Sequence, residues 1–254
     1  MDVVMHIGTE YEKMFLEEVI KHIIVNFASN LDLSGIVSIE LLPHKTIPNE
    51  SSGRMENKKL LLSYHLLSDI AYKCENYNSN TEIDFKKVSG DYKVIEEVNV
   101  LFTTIYHELF HFDDRKKRPK LYASVEINWD ENIYLSLAAL YWIEFSTHYN
   151  GKLRETEQHM QKYCNNFVNR NWNFSNEEYF YMLKQMPYFI YRCFHFSIIQ
   201  FNELITKIDN IIEQKMVIEC REVSEKLITL EKFDDYVELR QLEIIFRKAY
   251  KKTI

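Results

Sequence analysis

The chain is poor in glycine and proline, with 5 Gly and 4 Pro among 254 residues. Because these residue types are the strongest interruptions of regular structure, their scarcity favours long helices. Cysteine is also scarce: the four cysteines form no CxxC pair, which argues against a disulfide framework and against a cysteine-ligated zinc site. We therefore expect free thiols in a reducing compartment, the cytoplasm.

The sequence also lacks an excess of positive charge and any long apolar run. Its formal net charge is −7, so no overall basic field attracts nucleic acid. Residues 1–6 have neither the basic nor the apolar region of a signal peptide. The aromatic stretch from Met186 to Ile199 contains Arg192 and His195 and is too short to span a bilayer. We expect a globular protein with no nucleic-acid or membrane partner.

The hydrophobic pattern of the first 150 residues predicts an α+β fold in which helix predominates. Thr9 and Glu12 form a capping box at the start of an amphipathic helix. Helical periodicity returns from Asp91 to Asp114 and from Asp130 to Tyr149. The segments that read as strands are Ile36 to Leu42, Leu60 to Leu67 and Thr81 to Val88, and Asn49 to Lys58 reads as a polar loop.

The rest of the chain is predicted to be all helical. Ser175 and Glu178 form a second capping box, and Pro187 fits the first turn of a further helix. Residues 201–252 contain no Gly or Pro, which predicts two or more long helices with a break near residues 233–235. We place a boundary at Gly151, so that residues 1–151 form one domain and residues 152–254 a helical C-terminal region.

Residues 106–111 read Tyr-His-Glu-Leu-Phe-His and match the HExxH pattern. On an α-helix, His107 and His111 lie one turn apart on one face, where their imidazoles can converge on one tetrahedral Zn²⁺. Glu108 can lie beside that metal without binding it, and its carboxylate can take a proton from water. The motif lies in an apolar helical pattern, where ionisable groups are costly unless paired or metal-bound. These residues therefore predict a zinc site.

A catalytic zinc site needs a third protein ligand and an open fourth position. Glu144 is the only acid deep inside the apolar segment 137–145. A carboxylate buried there requires a partner, and a zinc ion is a suitable one. Glu126 and Glu131, nearer the preceding loop and the start of that helix, are alternative third ligands.

Other ionisable residues have weaker claims to the site. Asp113 and Asp114 lie too close to His111 in the sequence to be third ligands. They are predicted either as hydrogen-bond acceptors behind the ligands or as a helix-end feature. His65 can approach the site from its predicted strand, although residues of this kind are more often ordinary strand residues.

Residues 106–114, together with Trp142-Ile143-Glu144-Phe145, resemble the zincin metallopeptidases, and among them the compact gluzincin type, which pairs HExxH with a glutamate on a later helix. The resemblance covers about residues 1–150. It implies an N-terminal helix and a small twisted sheet packed on the motif helix. The extended HExxHxxGxxH pattern of metzincins is absent from this sequence.

This resemblance implies that His107, His111 and Glu144 bind zinc, that Glu108 is the general base, and that the reaction is hydrolysis of a peptide bond in a peptide or protein substrate. The alternative is a non-catalytic, zinc-containing regulatory or partner-binding protein. In that case the motif serves as a metal site and the C-terminal helices bind a protein partner.

The position four residues after the predicted ligand glutamate carries His148, where some gluzincins have an aspartate that hydrogen-bonds a ligand histidine. His148 is a candidate catalytic residue that stabilises the oxyanion, with Tyr141 and Tyr149 as alternatives. Simple packing at the helix end also accounts for it.

A peptidase must hold an extended chain, and pairing with an exposed sheet edge does this economically. We expect the segment Leu60 to Leu67 to provide that edge. An interior strand, or part of a helix, is the alternative for this segment.

Overall fold

The computed structural model describes residues 2–44, 46–47, 52–68, 70, 78–79, 82–83, 92–126, 129–150, 157–170, 176–230 and 237–253. The helices are α1 (Glu10–Asn26), α2 (Tyr92–Lys117), α3 (Pro119–Glu126), α4 (Trp129–Asn150), α5 (Glu157–Val168), α6 (Asn176–Cys193), α7 (Ile198–Ile205), α8 (Ile211–Leu227) and α9 (Arg240–Thr253). The strands are β1 (Asp2–Met5), β2 (Ser38–Leu42), β3 (Gly53–Glu56), β4 (Lys59–Ser63), β5 (Asn78–Ser79) and β6 (Glu82–Ile83). The prediction of a mainly helical α+β protein is confirmed.

The described residues form two compact units, one of residues up to Asp114 and one from Arg115 onward. The helix that carries Glu144, α4, belongs to the second unit. The predicted boundary at Gly151 lies outside the described residues. That residues 1–151 form one domain stays a prediction.

The first unit contains a four-stranded mixed sheet in the order β1-β2-β4-β3. Strand β2 runs parallel to both β1 and β4, whereas β3 pairs with β4 in the antiparallel sense and ends the strand order. Asn57 and Lys58 join β3 to β4 with φ values of 48° and 64°. Two residues with positive φ in a two-residue hairpin form the type I′ turn, which matches the right-handed twist of the strands.

The core of the first unit lies where α1, the sheet and α2 bury their apolar residues together. Thr9 caps α1 as predicted: its hydroxyl accepts the Glu12 N–H, and the Glu12 carboxylate accepts the Thr9 N–H. The sheet contributes two parallel rows of fully buried side chains from alternate positions of β2 and β4, and α2 contributes one row. These residues are Ile39, Leu41, Leu60, Leu62, Leu101, Ile105 and Leu109. The alternation of apolar and other residues in the strands and the helical spacing of apolar residues in α2 both result from this burial.

The second unit is all helical, and its core is formed by side chains of α3 to α9. The predicted helices at 91–114 and 130–149 are confirmed as α2 and α4. Pro187 lies inside α6 instead of in a first turn, so that prediction is wrong. The helix continues past the missing N–H because it is held by fully buried neighbours, among them Met186, Phe189 and Ile190. Among the described residues, no helix combines the length and the hydropathy needed to cross a bilayer.

Other segments depart from the prediction in ways that bear on the site. The predicted loop at 49–58 contains strand β3, and β4 ends at Ser63 and is followed by a 3₁₀ turn, Tyr64–Leu66. Of the predicted strand from Thr81 to Val88, only β6 is described, and Ser175 with its capping box lies outside the described residues. In the stretch 201–252 the described residues leave the helical state at Thr206–Asn210, where Asn210 caps a new helix, and again at 228–230 and 237–239, between α8 and α9. Residues 233–235 are not among those described.

Candidate metal centre

The two motif histidines converge on one point. His107 and His111 are half-buried on α2, and their Nε2 atoms lie 2.8 Å apart. Their ring planes stand at 86° with centroids 4.3 Å apart. The one-turn spacing of the sequence therefore brings the Nε2 atoms of the two rings together.

The two imidazole nitrogens can be compared with two ligands of a tetrahedral zinc ion. Zinc–nitrogen bonds of about 2.0–2.1 Å at a tetrahedral angle place two ligand nitrogens about 3.3 Å apart. The observed 2.8 Å is about 0.5 Å shorter than that spacing. The neutral imidazole nitrogen is also a preferred zinc donor.

Glu108, the predicted base, is held by the sheet. Its Oε2 accepts the backbone N–H of Met55 on β3, with N···O at 3.0 Å. Strand β3 comes close to α2 at Gly53, where an added Cβ would lie 2.8 Å from Thr104 Cγ2 and 3.3 Å from Glu108 Cγ. Gly53 thus permits the approach that lets the strand reach the motif.

The same sheet corrects the predicted substrate edge. The segment Leu60 to Leu67 was expected to present unpaired backbone, but β4 is paired on one side with β2 and on the other with β3. The prediction is wrong because its apolar residues fill the centre of the sheet. The strand at the end of the order, β3, has a sequence that resembles a loop.

Glu144 is half-buried on α4, and its Oε2 accepts a hydrogen bond from the hydroxyl of Tyr188 on α6, at 2.8 Å. Arg192, one turn further along α6, donates to the Tyr188 backbone carbonyl at 2.9 Å. The carboxylate is therefore oriented by a neighbouring helix of its own unit. Metal ligands in proteins are usually oriented in this way, by a hydrogen bond from a neighbouring group.

His148 lies one turn beyond Glu144 on α4 and is half-buried. Its ring contacts Tyr188 edge-on at 5.0 Å and Tyr191 at 5.2 Å. These contacts fix the ring near Glu144. The assignment of His148 to catalysis stays a prediction.

The two tyrosines considered as alternatives to His148 have other surroundings. Tyr141 is 1% exposed, and its hydroxyl lies 2.8 Å from Ser224 Oγ in the core of the second unit. Burial raises its pKa well above the usual value. Tyr149 is exposed and stacks on Phe145. Neither environment resembles that of a group prepared to meet a developing charge.

Of the remaining candidate site residues, some have structural roles, and the side chains of others lie outside the described residues. Asp113 is buried, and its Oδ1 accepts the backbone N–H of Asp32 at 2.9 Å, so it fastens a loop to the end of α2. The side chains of Glu126 and Glu131 lie outside the described residues. His65 is exposed and hydrogen-bonds Ser63 Oγ at 2.8 Å.

Sequence reasoning missed two contacts of the predicted site residues. Tyr188 gave no signal, since it lies in an aromatic-rich stretch that reads as core and is 44 residues away from Glu144. Met55 contributes a backbone N–H, which no residue type reveals. A positive indication was available only at Gly53, because glycine inside a strand often marks a close backbone approach.

We compared the chain with family models, with curated proteins and with solved structures, and none of them matches it.

Proposed function

We propose that this chain is a zinc-dependent metallopeptidase of the zincin type, in which His107, His111 and Glu144 bind the metal and Glu108 is the general base. The observation that supports it most is the convergence of the two motif imidazoles, whose Nε2 atoms are 2.8 Å apart. The Glu144 carboxylate, held by the Tyr188 hydroxyl at 2.8 Å, supports a carboxylate as a further donor. Nitrogen donors with a carboxylate are a zinc ligand set found in hydrolases.

Each residue has a distinct task in this proposal. A zinc ion, when bound, supplies the Lewis acidity that polarises the scissile carbonyl and acidifies water. Glu108 accepts the proton of the attacking water and returns it to the leaving amine. His148 donates to the oxygen on which negative charge develops. Tyr188 holds the Glu144 carboxylate in place.

The proposed compartment is the cytoplasm. Cys164, Cys193 and Cys220 are buried free thiols, as expected for a protein that stays in a reducing environment. The proposed substrate class is a peptide or protein chain.

Two variants test the proposal on protein purified from zinc-supplemented cells. Glu108→Gln keeps the shape but removes the base, so it should retain zinc by metal analysis and lower the hydrolysis of an unfolded protein on the order of 100- to 10,000-fold. His111→Ala should lose both zinc and hydrolysis, since it removes a ligand. Unchanged turnover in Glu108→Gln would refute the mechanism, and a wild-type protein without zinc would refute the metal.

The second candidate function is a zinc-containing regulatory or partner-binding protein without catalysis. It is favoured by the position of His148 one turn beyond Glu144 on α4, where Tyr188 and Tyr191 contact its ring. If His148 binds zinc in addition to the three proposed ligands, four protein ligands fill a tetrahedral site and leave no position for water.

His148→Ala distinguishes the two functions. In a peptidase with three ligands, this variant keeps zinc and loses turnover. In a closed site with four ligands, it lowers zinc affinity, and the wild-type protein hydrolyses no peptide. Metal titration and a peptide-cleavage assay on the same samples therefore decide between them.

A further inference from the structure

The hairpin register decides which backbone groups of β3 face away from the sheet. The turn closes on the pair Glu56–Lys59, and at the other end the Ser63 N–H donates to the Ser52 carbonyl at 2.9 Å. In an antiparallel pair, hydrogen-bonded and non-bonded positions alternate. Arg54 therefore pairs with β4 through its own N–H and C=O, and Gly53 and Met55 direct theirs outward.

Glu108 accepts a hydrogen bond from one of these outward backbone groups. Its Oε2 accepts the Met55 N–H at 3.0 Å, on the side of the strand where another extended chain would pair. As long as this contact holds, one carboxylate oxygen of the proposed base is engaged with the sheet. The contact depends on Gly53, because a Cβ there would press on Thr104 Cγ2 at 2.8 Å.

We propose that the Met55–Glu108 contact is a latch that an extended polypeptide releases when it pairs with β3, and that Gly53 is the residue that positions it. The proposal rests on the proposed peptidase function. A substrate carbonyl takes the Met55 N–H and frees Glu108 Oε2 to accept the proton of water. Gly53 and Met55 together offer two N–H and two C=O groups, so pairing replaces one hydrogen bond by several.

The latch makes the protein selective for extended chains. A short amide lacks the length to pair with both outward positions and leaves Glu108 engaged with the strand. An unfolded polypeptide pairs and releases the base in the same event. The substrate class is therefore extended polypeptide of several residues, in preference to dipeptides.

The latch itself is tested without any activity, by hydrogen exchange of the Met55 amide in the full-length protein. Glu108→Ala should speed the exchange of the Met55 amide about tenfold or more, since the amide loses its acceptor. The Arg54 amide, which is bonded within the hairpin, serves as the internal control and should not change. Glu108→Gln keeps an acceptor oxygen and should have a smaller effect. Equal exchange of Met55 in wild type and Glu108→Ala would overturn the latch.

Gly53 is tested by a variant and its rescue. Gly53→Ala should speed Met55 exchange because the strand is pushed away from α2. Adding Thr104→Ser removes the Cγ2 that the new Cβ meets and should restore slow exchange. A Gly53→Ala protein with unchanged Met55 exchange would overturn the positioning role, and so would a loss that Thr104→Ser leaves uncorrected.

The release by substrate is tested by the ratio of kcat/KM for carboxymethylated α-lactalbumin to kcat/KM for a blocked dipeptide amide. Met55→Pro removes the N–H at an edge position where proline is tolerated, and this ratio should fall about tenfold or more. Met55→Leu keeps the N–H and should preserve the ratio. An unchanged ratio in folded Met55→Pro would overturn the release. A zinc-loaded wild-type protein that cleaves neither substrate would instead refute the proposed peptidase function, and with it the release by a substrate. In that case, hydrogen exchange of the Met55 amide alone would decide whether the contact is a latch.

Discussion

Replacing Tyr188 by phenylalanine removes one hydroxyl and leaves the ring that packs against His148. That hydroxyl donates to Glu144 Oε2 at 2.8 Å. A hydrogen bond to a charged acceptor contributes about 1.5–3 kcal/mol, and partial exposure of both side chains places this one near the lower value. Since 1.4 kcal/mol is a factor of ten in an equilibrium constant, we expect Tyr188→Phe to weaken zinc binding about tenfold. The usual effect of removing a partner of a metal ligand is about 10- to 100-fold.

The assay for this prediction is a zinc titration in competition with a chromophoric chelator. Tyr181→Phe is the matched control, since it makes the same change on the same helix at a residue that is 43% exposed. Thermal unfolding of the metal-free variants shows whether α6 is intact. Unchanged or tighter zinc binding in Tyr188→Phe would refute the role of Glu144 as a ligand oriented by Tyr188. An equal loss in Tyr181→Phe would assign the effect to the helix.

The remaining predictions concern buried polar groups. Burial raises the pKa of Glu213 from 4.5 to about 7, so the folded protein keeps a proton that the unfolded chain releases. The free energy of unfolding should therefore fall as pH rises from about 4.5 to 7. In urea titrations, Glu213→Gln should raise the free energy of unfolding by up to about 3 kcal/mol at pH 8 but little at pH 4. A stability difference between variant and wild type that does not change with pH would contradict this prediction. Asp113→Ala should lower the free energy of unfolding by about 2 kcal/mol, because the Asp32 N–H loses a charged acceptor, and an unchanged urea midpoint would argue against that anchor. Tyr141→Phe should lower it by about 1–2 kcal/mol by leaving Ser224 Oγ without its buried partner, and equal stability would show that the pair contributes nothing.

The long helices could be predicted because burial repeats at every turn. In α2 the buried residues Val98, Leu101, Ile105 and Leu109 recur at three- and four-residue spacing, and in α4 a nearly continuous run from Leu137 to Thr147 is buried. The HExxH pair belongs to the same class of signal, since a spacing of four on a helix fixes the distance between two side chains. For this reason the convergence of His107 and His111 was predictable from the sequence.

Strand β3 was not predictable for the opposite reason. Its four residues, Gly-Arg-Met-Glu, show little apolar alternation, and its turn is Asn57-Lys58 instead of the Asn-Gly that marks such hairpins. Pairing with β4 supplies the stability that local sequence does not. The contact between Tyr188 and Glu144 is equally tertiary, because it joins two helices across 44 residues.

The two-residue turn at Asn57 and Lys58 has a consequence for how this chain tolerates change. Hairpin tips usually accept insertions, since they are exposed and contact little else. Here the length of the turn fixes which amides of β3 lie on the outer side of the strand, and a shift of one residue exchanges the two sets. Such a shift would turn Met55 inward and Arg54 outward, although neither residue had been altered. The number of residues in a surface turn thus determines the chemistry available beside Glu108, and its length should be as restricted as the identity of a site residue.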